Sequence, residues 1–309
     1  MSAASPALPL SDWGLIRARG VDAAQFLHGQ LTQDVQALDS SHAGFSGYCS
    51  AKGRLLASFV VWRSGPDELL LACSRDLLEP TLKRLSMFVL RARCRLDDAS
   101  ADWDLFGLAG SSAEEWLGDS APGLVWGLHA HFAGHVIRLP PAASQARFLL
   151  ARPSHAGQEY PPAVASSAWL RLEVLSGVIR ITQSTVERFV PQMVNLELVG
   201  GVSFSKGCYP GQEVVARSQY RGTVKRRAFV LASDSAPYPG AEVFHSADPG
   251  QPAGQVALVA PADATESSLA LVELKLSALG PGSLHWGVPD GPQLRLVEQP
   301  YALASEGTT

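Results

Sequence analysis

A chain of 309 residues, 46% hydrophobic and 17% charged, has the composition of a folded globular protein and is long for one core, so two or three domains are expected. A formal net charge of −4 gives no overall attraction to nucleic acid or to an anionic membrane, so any basic surface must be local. Four cysteines without a CxxC pair argue against a disulfide framework or zinc site, and the longest apolar runs fall short of the roughly 20 residues of a membrane helix.

The amino-terminal "MSAASPALPLSDW" has neither a basic region nor an extended apolar one, so a secretory signal is not expected and a cytoplasmic location is. Residues 13–18 ("WGLIRA") predict a short strand. "GVDAAQFLHGQLTQDV" predicts a short amphipathic helix with an irregular end, its apolar positions being Val21, Ala24, Phe26, Leu27 and Leu31. Residues 45–74 predict a β-meander broken at "SGP", and a helix follows at about 76–87 with Pro80 in its first turn. "FVLRARCRL" alternates, which predicts a strand with Arg91, Arg93 and Arg95 on one face and Leu90, Ala92, Cys94 and Leu96 on the other. The arginine face reads either as a solvated sheet surface or as a cationic wall for an anion.

Residues 103–150 repeat a strand–helix–strand pattern. "SSAWLRLEVLSG" predicts a helix over about 166–176, capped by its serines and ended by Gly177. From about 225 onward, short strands between Pro, Gly and Asp clusters predict an all-β appendage, a small barrel or sandwich, and "LASEGTT" reads as a loose tail.

Three stretches carry candidate chemistry. In "KGCYPGQEVVAR" (206–217), Cys208 lies two residues from Lys206 and upstream of Arg217, Arg221, Lys225, Arg226 and Arg227, and cations favour the reactive thiolate. The plainer alternative is a buried cysteine acting as a small hydrophobe. The run 217–227 is either a solvated, charge-protected edge or a patch facing phosphate or another polyanion. On the helix 166–176, Trp169 and Glu173 are spaced i,i+4, and an indole beside a carboxylate suits a flat heterocycle with adjacent N–H donors, although a half-buried tryptophan on an amphipathic helix gives the same spacing. His129, His131 and His135 lack the neighbouring ligands of a metal site.

"KGCYPGQE" resembles the K-G-C-[YF]-x-G-Q-E signature of the YgfZ family of folate-binding proteins. "LSDWGLIRARG", "LHGQLTQDV", "YCSAKGRLLASF", "WLRLEVLSG", "FVPQMVNLELVGGVSFSKGCYPGQE" and "YRGTVKRRAF" resemble further family blocks in family order, from about residue 10 to about 300. The resemblance implies an α+β, three-domain, ring-like fold of the aminomethyltransferase type with a C-terminal β-barrel, divided at 8–100, 101–224 and 225–302. It implies bound tetrahydrofolate or a one-carbon derivative, contacted by Trp13, Trp169 and Glu173, with Lys52 and Arg54 toward its glutamate tail. It implies a reactive Cys208 assisted by Lys206, and an accessory role for iron–sulfur enzymes such as those that thiolate tRNA bases. Proline at 210 replaces the hydroxylated or β-branched residue often found there. No residue matches the aminomethyltransferases' catalytic aspartate, which argues against glycine-cleavage chemistry. Two rivals remain at this level: a folate-dependent one-carbon transferase with an unknown acceptor, and a tRNA-binding module.

Overall fold

Uninterrupted apolar runs such as "LLASFVVW" mark strands covered on both faces, and the first sheet is built from them. In the computed structural model, which describes residues 9–154, 161, 164–220, 224–262 and 266–303, this sheet joins β1 (Trp13–Arg19), β2 (Gly44–Cys49), β3 (Leu55–Gly65), β4 (Glu68–Ser74) and β5 (Arg95–Asp98) in the order β2-β3-β4-β1-β5. Period-two alternation sends Ile16, Phe59, Val61, Leu69 and Leu71 to a core under α1 (Ala23–His28) and α2 (Arg75–Ser86). Leu15, Val60, Trp62, Leu70 and Ala72 turn the other way, into a core shared with the rest of the molecule.

The second sheet has the order β6-β9-β8-β7, from β6 (Trp103–Ala109), β7 (Leu128–His131), β8 (Gly134–Ala142) and β9 (Gln145–Pro153). α3 (Gly110–Leu117) covers the face carrying Phe106, Val136 and Phe148, while Leu105, Ile137 and Leu149 face the shared core. α4 (Ser166–Leu175) lies against that inner face. Gly107 is required there: a Cβ on it would stand 2.4 Å from the Trp169 ring.

α5 (Gln212–Tyr220) leads to a closed barrel of β10 (Arg226–Ser233), β11 (Glu242–His245), β12 (Gly254–Ala260), β13 (Ser268–Lys275), β14 (Leu284–Trp286) and β15 (Gln293–Leu296). Phe229, Val243, Val256 and Val272 fill its interior, and Val230, Leu258, Leu269 and Leu271 on its outside join the shared core. Beyond β15 the chain returns to α4, where the Tyr301 hydroxyl donates to the Gly177 carbonyl at 2.9 Å.

The structure corrects four local expectations. Pro80 lies in the second turn of α2, so Asp76 loses the donor its carbonyl would have used. Residues 88–94 are turns and bends rather than a strand, with Leu90 left-handed at φ 38°, and of the predicted strand only Arg95 and Leu96 enter β5. The cause is Arg93, whose backbone and side chain bind the Asp22 carboxylate at 2.8 and 3.1 Å and anchor the segment to the β1–α1 turn. Val21 is exposed, not part of the apolar face of α1. No serine caps α4, whose N-cap is Ala165, but Gly177 does take the left-handed conformation beyond its end (φ 66°). The tail expected at 303–309 lies, apart from Leu303, outside the described residues.

Candidate functional site

A thin slot opens where the two sheets meet the segment leaving α4. Trp13, Phe45, Val60 and Ala72 come from the first sheet, Leu139, Pro140 and Arg147 from the second, and Glu173, Ser176 and Arg180 from the end of α4 and beyond. Its free volume is small, about 30 Å³. Its walls are mostly apolar, with a buried charge cluster at one end.

That cluster is organised around Glu173, buried with its side chain 5% exposed. Arg180 donates to it as a fork, Nε to Oε1 at 3.3 Å and Nη2 to Oε2 at 3.2 Å. The same guanidinium donates to the Asp12 carboxylate at 2.5 Å and to the Ser74 hydroxyl at 3.3 Å, and it stands over the Trp13 ring, 5.1 Å from its centroid. β1–β4 pairing explains this convergence, since Trp13 and Ser74 are directly opposed. Burial pushes the Glu173 carboxyl up, while the guanidiniums of Arg180 and Arg147 favour its ionised form. Burial draws Arg147 down to about 10, against the opposing pull of Glu173.

Of the residues singled out in sequence, Trp13 and Glu173 therefore meet at the slot. Trp169 does not line it: this indole is 2% exposed, pressed on Gly107, with the Arg147 guanidinium 4.8 Å above its ring. The second aromatic wall is Trp126, stacked on Phe45 with ring centroids 5.6 Å apart and planes 2° from parallel. Sequence reasoning passed over Trp126 because it sits in a loop with left-handed backbone (φ 65°), held by Nε1 donating to the Val199 carbonyl at 3.1 Å, and no periodicity marks such a position. Lys52 is exposed, and Arg54 donates to the Arg188 carbonyl beside a separate polar pocket that also includes Arg226 and Glu273. Neither lines the slot.

The signature loop is a second place. Lys206 is buried, its amine donating to the carbonyls of Leu31, at 2.6 Å, and His28, and burial lowers it to about 8. It thus rivets the loop to the end of α1. Gly211 (φ 80°) lets the loop press onto the 50–53 turn, since a Cβ would meet the Ser50 carbonyl at 2.4 Å. Cys208 is exposed. Beside it, the missing Cβ of Gly207 would stand 3.8 Å from His28 Nε2, and His28 Nδ1 lies 3.0 Å from Asp34 Oδ1.

The remaining thiols differ sharply. Cys49 and Cys73 are buried and pushed up to about 12, and Cys94 to about 11, in each case mainly by desolvation. Titration of the native protein with an aromatic disulfide at pH 8 is expected to label Cys208 first and alone on a timescale of minutes, with the other three reacting after unfolding. A Cys208→Ala variant that still shows one fast thiol contradicts this ranking.

The basic run does not form one surface. Arg226 binds buried Glu273 at 2.6 and 2.7 Å, and Arg227 pairs with Glu197 and donates to the Gln192 carbonyl at 3.0 Å. Arg217 faces solvent in an i,i+4 pair with Glu213, Lys225 is exposed, and Arg221 lies outside the described residues. Among the described residues no group of His, Cys, Asp and Glu is arranged to hold a metal; His131 and His135 instead pack on Trp116 and Trp103.

No protein-family model matches the chain. Among solved structures it is similar to the glycine cleavage system aminomethyltransferase T from Bartonella henselae, with a TM-score of 0.74 at 16% identity over 95% of this chain and 85% of that one. The fold is therefore that of the aminomethyltransferase T class, here with a six-stranded C-terminal barrel. The tRNA-modifying protein YgfZ of Yersinia pestis (strain Pestoides F) is 31% identical over 77% of this chain and 76% of its own length. That of Edwardsiella ictaluri is 35% identical over 75% and 72%. The chain belongs to the YgfZ family. Among the described residues no helix is long and apolar enough to cross a membrane.

Proposed function

We propose that the protein binds tetrahydrofolate, or a one-carbon derivative of it, and serves tRNA modification as an accessory to iron–sulfur enzymes. The observation that carries the folate reading is Glu173: a buried carboxylate at the end of an aromatic-walled slot, in a chain with the aminomethyltransferase T fold. A carboxylate accepts two parallel hydrogen bonds from the amino-pyrimidinone edge of a pterin, and Trp13 and Trp126 offer flat apolar surface to its faces. The tRNA role rests on the name shared by the curated relatives. Cys208, exposed in the signature loop and away from the slot lining, is the thiol available to a client protein or a persulfide.

Titration of 5-formyltetrahydrofolate, followed by tryptophan fluorescence and calorimetry, is expected to show saturable 1:1 binding. Trp13→Ala should weaken it at least tenfold, and Cys208→Ala should leave it unchanged. Absence of saturable binding, or full affinity in Trp13→Ala, overturns the folate site.

A further inference from the structure

The slot is already occupied at its polar end by the protein itself. The Arg180 guanidinium lies over Trp13 and forks onto both oxygens of Glu173, at 3.3 and 3.2 Å. A planar array of N–H donors on a carboxylate, stacked against an indole, is also what an amino-pyrimidinone ring would present there. The free volume of about 30 Å³ has room for about two waters and not for a bicyclic ring, so a wall must yield before such a ligand enters. Trp13, Phe45 and Val60 are fixed by the first sheet and its packing. Arg180 is a long side chain with a second anchor pointing outward: its Nη2 is 2.5 Å from Asp12, whose carboxylate is about half exposed.

We propose that Arg180 is an internal plug, a self-ligand that caps Glu173 and holds the slot closed until a heterocycle with a guanidine-like edge takes its place. The displaced guanidinium gives up Glu173 and Asp12 together and swings out into solvent. No covalent step is involved. Binding is then an exchange of one forked donor for another, and the observed affinity is the intrinsic one reduced by the small fraction of molecules in which the plug is open. The proposal rests on the folate reading of the slot, and its test separates the two.

Stopped-flow and equilibrium binding of 5-formyltetrahydrofolate decide it, comparing the wild type with Arg180→Met and Asp12→Asn. In the wild type the observed binding rate should level off as ligand concentration rises, because plug opening becomes limiting. In Arg180→Met the rate should stay linear over the same range and the affinity should rise at least tenfold. Asp12→Asn, a change at a half-exposed side chain that loosens the outer anchor, should raise affinity several-fold, and it decides the matter alone if Arg180→Met does not fold. Unchanged or weaker binding in the folded variants overturns the plug while leaving the folate site standing. No binding by any of the proteins, wild type included, removes both.

Discussion

Replacing Glu173 by alanine should destabilise the protein by about 3–5 kcal/mol, the usual cost of removing one member of a buried ion pair and stranding the other. Two guanidiniums are stranded here. Arg180 keeps only Asp12, the Ser74 hydroxyl and the Trp13 ring, and Arg147, itself 3% exposed, loses its nearby anion. Glu173→Gln keeps an acceptor for one arm of the fork and should cost less. The double variant Glu173→Leu with Arg180→Met, which removes both charges, should recover a large part of the loss, because well-packed apolar replacements of buried pairs are often neutral. Urea denaturation of these proteins, together with the single variants Glu173→Leu and Arg180→Met, measures this directly. Additive losses in the double variant would show that the two groups do not form a coupled pair.

Trp169→Ala should cost a comparable amount, about 3–5 kcal/mol, for a different reason: it empties the centre of the shared core. The indole lies between Gly107 and the Arg147 guanidinium and belongs to the core group that includes Leu105, Ile137 and Leu149. Trp169→Phe should cost less than half as much, because most of the ring volume remains. Thermal and urea unfolding check both values. The distinction matters for reading ligand data. A Trp169→Ala protein that fails to bind a ligand will also have lost the support of Arg147, so an aromatic wall of the slot is isolated by Trp13→Ala or Trp126→Ala and not by Trp169→Ala. If Trp169→Ala unfolds like the wild type, the indole is not the core residue described above.

The sheet and barrel elements were legible because their signals are local. Unbroken apolar runs bounded by Gly and Pro marked β3 and β4, and the short strands after 225 announced a small barrel or sandwich. The segment 88–96 misled because alternation also arises where a loop is held by a distant group. Nothing near Arg93 reveals that Asp22, 71 residues earlier, will hold it. The site was half legible for the same reason. Glu173 and Trp13 sit in recognisable blocks, and helical spacing correctly put Trp169 on the same face of α4 as Glu173. It could not reveal that Arg147, from another sheet, lies over that indole and that Trp126, from a loop, lines the slot. The partners of the basic run were not legible: Glu197 and Glu273 lie 30 and 47 residues away and turn two arginines into partly buried, paired cations.

The return of the chain end to Gly177 has a consequence for biosynthesis. The slot's residues, from Trp13 to Arg180, leave the ribosome well before Tyr301, which fastens the turn just after Glu173, and before the barrel strands that close the shared core. A nascent chain that has made every residue of the slot still lacks the outer barrel face and the final clasp, so its apolar side stays open to chaperones. A chain that stops before the barrel strands would leave the shared core uncovered on the side that Val230, Leu258, Leu269 and Leu271 close.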